Sequence, residues 1–440
     1  MTILALSSST AFAAATDQAP AEPPTEPLTE PPTESLTEPP TEPAASAGAD
    51  AREGGALRGE YRLFVDAFAS ANYNRPLRQG GANVAHGNDW SSGFGLVWAG
   101  GDLSGDAGPV GGTLSLRLGP VASLYNGSDN RYGLQYLKQA YATVRPIPGS
   151  DRLSLDLGKM DTLYGAEVAE SQDNLNYTRG VLVWIEQPFF HTGLRLRYRA
   201  LPWLEVAALA VNGWNNTLDN NHGKTFGVQE TVTALGGDLS VSLGYLTGPE
   251  NDEVATIDCA DDEAYDGAAG CTPSPGTLGA STQIAVAGVN RNWRHFVDLV
   301  IRYSPHRRVS LVVNADFTHD RLITDPLTGA NQRAMMYGVM AIAAVSFTDR
   351  WSAAIRGEIV DDVYNTWTAG LTEATASGTI DRLRLATGTL TLRYQPIENL
   401  AVMLDNRLDA ANQPIFDRRG AADVARTQVT TTLGVIVMSR

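Results

Sequence analysis

From about residue 57 to its end, the chain alternates apolar and polar residues with a period of two, and no stretch carries a helical stripe. "YRLFVDAFA" (61–69), "TLSLRLG" (113–119), "LSLDLG" (153–158), "VSLVVNADF" (309–317) and "LAVMLDNRL" (400–408) are clear cases. Successive strand side chains point to opposite faces, so each run has one greasy face and one polar face. The connections alternate as well. "RPIPGSD" (145–151), "RALPW" (199–203), "SPHRR" (304–308), "FTDRW" (347–351) and "QPIEN" (395–399) are short. The stretches 70–90, 124–134, 160–190, 214–223, 247–291, 319–333, 362–379 and 409–425 are long. Counting strands between them predicts an all-β, transmembrane antiparallel β-barrel of about 16 strands, with tight turns on one rim and long loops on the other. One stretch, "GGDLSGDAGPVGG" (100–112), falls where a tight turn is due and reads instead as a long glycine-rich turn.

Cost decides which face meets lipid. An arginine on the lipid side at mid-bilayer costs roughly 2–4 kcal/mol. In "GLRLRYRALPW" (193–203) this turns Arg195, Arg197 and Arg199 inward and Leu194, Leu196 and Tyr198 outward. The same phasing places Arg117, Asp156, Asp298, Arg302, Asn314, Asp316, Arg356, Glu358, Arg382, Arg384, Asp405 and Arg407 inside. Leu116, Leu157, Ile355, Ile359, Leu383, Leu385 and Leu404 then point outward. Arg195, Arg197, Arg199, Arg302, Arg356, Arg382, Arg384 and Arg407 are therefore the candidate pore-lining residues. Tyr198, Trp203, Tyr303, Phe347, Trp351 and Tyr394 flank the short turns, as rings at a bilayer interface do. A ring of about 16 strands is too wide for side chains to fill, so its polar interior is expected to hold water.

Composition excludes several classes. No run of about 18 apolar residues is present, which argues against a helical membrane protein. The net charge of -16 makes nucleic acid an unsuitable partner. Residues 1–51 hold eight acidic residues and no Lys or Arg, so half of that charge belongs to a tail. The tail contains "AEPPTEPLTEPPTESLTEPPTEP" (21–43), whose prolines and repelling glutamates predict a disordered, extended linker over 16–56. Ahead of it, "MTILALSSSTAFAAA" (1–15) is similar to the end of a secretory signal peptide, without a positive n-region. Residues 57–440 form the barrel. Cys259 and Cys271 lie in one polar stretch and, in an exported protein, predict a local disulfide. Six dispersed histidines and the absence of H-E-x-x-H, G-x-S-x-G or Walker sequences point away from an enzyme, a metal or a cofactor.

The stretch "GKMDTLYGAEVAESQDNLNYTRG" (158–180), continuing into "PFFHTGLRLRY", "VNGWNN" and "DNNHGKTF", resembles the OmpL-like β-barrel porin family. The resemblance covers about a quarter of the chain strongly and the rest in texture. It implies an outer-membrane porin whose third external loop folds into the channel, carrying Asp161, Glu167, Glu170 and Asp173 as constriction residues. Set against the arginine wall, such a loop would impose a transverse field on solutes. One departure is the ending "VIVMSR", where such barrels commonly finish on an aromatic residue.

The expected function is a water-filled diffusion channel for small hydrophilic solutes and ions in the outer membrane of a Gram-negative bacterium. Its partners would be outer-membrane lipid, those solutes, a second copy in a homo-oligomer, and the cell wall through the N-terminal tail. The alternative is a non-conducting structural or adhesive barrel that acts through its external loops and tail.

Overall fold

A computed structural model describes residues 58–77, 82–258, 281–368, 382–419 and 424–439. The expectations for the signal peptide, the linker and the Cys259–Cys271 pair fall outside these residues. Sixteen strands close into one antiparallel barrel in chain order. They are β1 (Arg58–Asn72), β2 (Gly93–Asp106), β3 (Val110–Leu118), β4 (Leu137–Val144), β5 (Leu153–Asp161), β6 (Phe190–Leu201), β7 (Leu204–Val211) and β8 (Thr225–Ala234). The second half comprises β9 (Leu239–Pro249), β10 (Trp293–His306), β11 (Val309–Asp325), β12 (Ala330–Ser346), β13 (Trp351–Asp362), β14 (Leu383–Ile397), β15 (Leu400–Ala411) and β16 (Thr427–Met438). Pairing of β1 with β16 seals the sheet, leaving no edge for lipid to meet. Two short helices, α1 (Pro120–Tyr125) and α2 (Val181–Glu186), lie in the connections.

The alternation read from the sequence is the alternation of the wall. Leu157, Ile355 and Ile359 stand on the outer surface, while Asp298, Asn314, Arg356, Asp405 and Arg407 are fully buried inside. Trp203, Phe347 and Trp351 are exposed beside the short turns, and Trp351 stacks on Tyr394 with ring centroids 4.4 Å apart.

Three expectations are corrected. Residues 100–112 are not a long turn: β2 runs to Asp106, and a tight turn at 107–109 leads into β3, closed by Ala107 N donating to Val110 O at 2.8 Å. The glycines that suggested a loop serve the wall. Gly95 and Gly100 lie under the inward rings of Phe68 and Phe64, and a Cβ at either would collide with them. Residues 319–333 are not a loop either, since β11 and β12 continue as a hairpin to a turn at 326–329.

The third correction concerns Arg382 and Arg384, which do not line the lumen. On β14, Leu390 and Leu392 are exposed, and Arg384 shares their face. Leu383 and Leu385 are buried instead, packed with Leu182, Ile415 and Phe416. Near the long-loop rim the strand has left the hydrocarbon, so the lipid penalty that assigned these arginines inward no longer acts on them.

Candidate functional site

The segment between β5 and β6, residues 162–189, lies inside the barrel and touches almost every part of its wall. Tyr164 donates its hydroxyl to the β9 carbonyl of Tyr245 at 3.1 Å. Ala166 N donates to Asn314 of β11, and Gln187 reaches Asn314 and Asp316. Asn176 bonds Thr391 of β14, Thr178 bonds Asp405 of β15, and the Tyr177 hydroxyl donates to Asp66 of β1 at 2.8 Å. Strand glycines make the room. Side chains at Gly227 and Gly244 would strike Tyr164; at Gly338, Leu182; at Gly434, Tyr177.

Each carboxylate expected on this segment has a cation beside it. Glu167 takes Arg356 of β13 at 2.7 Å and also accepts from Gly180 N. Glu170 takes Arg117 of β3 and Lys138 of β4, both at 2.7 Å. Lys138 also holds Asp161, the last residue of β5, at 2.7 Å. Asp173 receives both terminal nitrogens of Arg62 at 2.9 Å. Burial alone would push the Glu170 carboxyl up, but Lys138 and Arg117 outweigh it and bring its pKa down to about 2. Residues 166–170 thus bridge from β13 to β3 and β4 on the other side of the lumen. Glu186 on α2 differs: burial raises its pKa to about 8, and its polar neighbours include Thr318, at 3.3 Å, and the acidic Asp316 and Asp362.

Glu167, Glu170 and Asp173 of the inward loop are therefore engaged by cations of the wall. A carboxylate carried into a packed lumen loses water and needs a cation in contact. The cations that pair with Glu167, Glu170 and Asp173 come from β1, β3, β4 and β13, not from β6. Arg195 instead bonds Asp156 on β5 at 2.8 Å, and Arg197 reaches the same oxygen at 3.2 Å. Arg199 lies 3.8 Å from Asp151, with both side chains about half exposed. Arg302 donates to the Ala166 carbonyl at 3.0 Å, and Arg407 to those of Arg179 and Ala85. Arg356 also donates to Thr178 O at 2.5 Å and lies 2.9 Å from Glu358.

A second inward element escaped the sequence reading. Residues 82–90, between β1 and β2, fold against β15 and β16. His86 is fully buried, with Nδ1 2.9 Å from Asp89 and Nε2 2.9 Å from Asp409. Burial and Arg407 oppose its charge, yet the two carboxylates prevail and raise its pKa. Lys138, Arg62 and Asp66 were missed too, because their roles depend on which loop residue arrives opposite them. The inward glycines were the available signal: a strand position lacking a side chain on the lumen face marks where something else must fit.

The family model described as "Putative beta-barrel porin-2, OmpL-like" matches residues 60–438, nearly the whole barrel. The chain belongs to this family. Solved outer-membrane proteins share the fold at low identity. A loop-deletion form of OmpT from Vibrio cholerae is 12% identical with a TM-score of 0.53, covering 87% of this chain and 100% of that one. The outer membrane channel DcaP of Acinetobacter baumannii is 11% identical with a TM-score of 0.52, covering 89% and 100%. An anion-selective porin from Comamonas acidovorans is 11% identical with a TM-score of 0.50, covering 87% and 100%. No curated relative matches the chain significantly. This OmpL-like porin is thus a barrel of the Gram-negative outer membrane.

Proposed function

We propose that this OmpL-like porin is a water-filled diffusion channel for small hydrophilic solutes, narrowed by residues 162–189 and favouring anions. The observation that carries the reading is a mismatch of charge. On the loop, Glu167, Glu170 and Asp173 each pair with a wall cation and burial favours the neutral form of Glu186, whereas on β5 and β6 one carboxylate, Asp156, serves both Arg195 and Arg197. Arg197 and Arg199 keep 41% and 48% of their side chains exposed. A surplus of half-exposed guanidinium beside a neutralised loop attracts anions into the bore. No catalytic step is assigned. OmpT has been solved in a trimer form, and lateral association of barrels belongs to the same proposal.

Two inward elements and their packed apolar clusters favour a second reading, a barrel closed by its own loops that acts through its external surface. Single-channel recording in planar bilayers, paired with liposome swelling on sugars, amino acids and organic anions, separates the two. A folded protein that neither conducts nor swells vesicles would overturn the channel.

A further inference from the structure

The outward Arg384 that contradicted the pore assignment belongs to a cationic belt on the outer surface. Arg382 donates to both oxygens of Asp361, at 2.7 and 2.6 Å, and Arg384 donates to the same carboxylate at 2.5 Å. The Tyr337 hydroxyl completes the cluster at 3.0 Å. Asp361 thereby fixes two guanidinium groups side by side while leaving 39% and 54% of their side chains exposed. Two strands away, Arg321 of β11 pairs directly across from Arg333 of β12, both exposed. One outward position lower, His295 and His319 lie across from each other on β10 and β11.

These positions share a height. Arg321 stands twelve residues up β11 from Val309, Arg333 thirteen up β12 from Ser346, and Arg384 thirteen up β14 from Ile397. At roughly 3.3 Å per residue and a tilt near 40°, all three lie about 30 Å above the short-turn rim. Below them Phe317 and Tyr337 are exposed, and below those the outward face is Val313, Val339, Ile355 and Ile359, down to the Trp351–Tyr394 stack. The belt therefore begins where an apolar band of about 25 Å gives way to headgroups on the long-loop side. Among the described outward positions of β10–β14 at this height, Asp361 is the one carboxylate, although the chain as a whole carries -16.

We infer that this belt is a docking surface for the phosphate groups of the outer-leaflet glycolipid. Guanidinium groups form paired hydrogen bonds to phosphate oxygens, and arginines at a headgroup plane add their attractions to an anionic lipid. The aromatic ring beneath would hold the upper part of the acyl chains. The inference uses the outer face alone and is independent of whether the lumen conducts.

The test uses the full, detergent-folded barrel with two probes: an acylated glucosamine disaccharide bearing two phosphates, and its phosphate-free counterpart. Native mass spectrometry counts lipid retained per barrel. The wild type is expected to keep the phosphorylated probe. The Arg321→Gln/Arg333→Gln/Arg384→Gln variant should keep it at least roughly tenfold more weakly, with no change for the phosphate-free probe. Asp361 still holds Arg382 and Tyr337 in that variant, and heat-modified gel mobility confirms folding. If folding fails, Arg321→Gln/Arg333→Gln alone is expected to show the same loss in part. Equal retention of the two probes by the wild type, undiminished retention by the variants, or cross-links through this face joining two barrels would each overturn the inference.

Discussion

A carboxyl group with no cation beside it behaves differently from its neighbours on the same loop. Glu167 and Glu170 sit against guanidinium and ammonium groups, but Glu186 is buried against Thr318, with Asp362 adding to its burden. Burial raises its pKa from the ordinary carboxyl range to about 8. A raised carboxyl pKa means the folded loop holds the proton more tightly than the released loop. Docking of α2 is therefore strongest below about pH 4.5 and weakens as pH climbs toward 8, after which the loss is complete. Hydrogen-exchange protection of residues 181–189, corrected for the intrinsic pH dependence of amide exchange, should fall between about pH 4.5 and 8 in the wild type. Glu186→Gln, neutral throughout, should flatten that profile; an unchanged profile would refute the assignment. His86 works in the same direction, because the Asp89 and Asp409 carboxylates on either side of it favour the imidazolium and raise its pKa.

At the scale of elements, the inward loop is held by a few buried ion pairs, and Arg356 is the pivotal one. It joins Glu167, Glu358 and the Thr178 carbonyl. Removing one partner of a buried pair costs about 3–5 kcal/mol because the other charge is left uncompensated. Arg356→Ala should therefore release the 166–170 bridge while the wall, tied strand to strand, persists. Single-channel conductance is expected to rise, and a cysteine placed at Val168 should react faster with a charged thiol reagent. Unaltered conductance and reactivity would show that the bridge does not depend on Arg356. The strands were legible in the sequence because lipid imposes one rule on every outward residue, and Leu157 and Ile355 obey it without needing to know their neighbours. The loop was not legible to the same depth. Asp161, Glu167, Glu170 and Asp173 announced an acidic segment, but their partners Arg62, Lys138 and Arg117 lie on strands far away in sequence. Arg382 and Arg384 misled for the converse reason: above the hydrocarbon, the rule that sorts arginines inward has lapsed.

Across the whole molecule, the sign of the bore's field is set by which charges remain uncompensated, not by the formal total. The chain is acidic, yet the loop's carboxylates are spent on structure, and the half-exposed charge on β6 is guanidinium. Reversal potentials in a KCl gradient should therefore show preference for chloride. Arg197→Glu/Arg199→Glu should move the potential toward cation preference. Arg195 is left intact because it is buried on Asp156, where a second carboxylate would unsettle the wall. Ionic strength supplies an independent check. The screening length is about 10 Å at 0.1 M salt and about 3 Å at 1 M. A preference created by charges on the bore wall must be largest in dilute salt and fade in concentrated salt. A preference set by the width of the constriction alone would persist across that range. Clear cation preference in dilute salt would overturn the anion reading, and with it the inference that β6 borders the path.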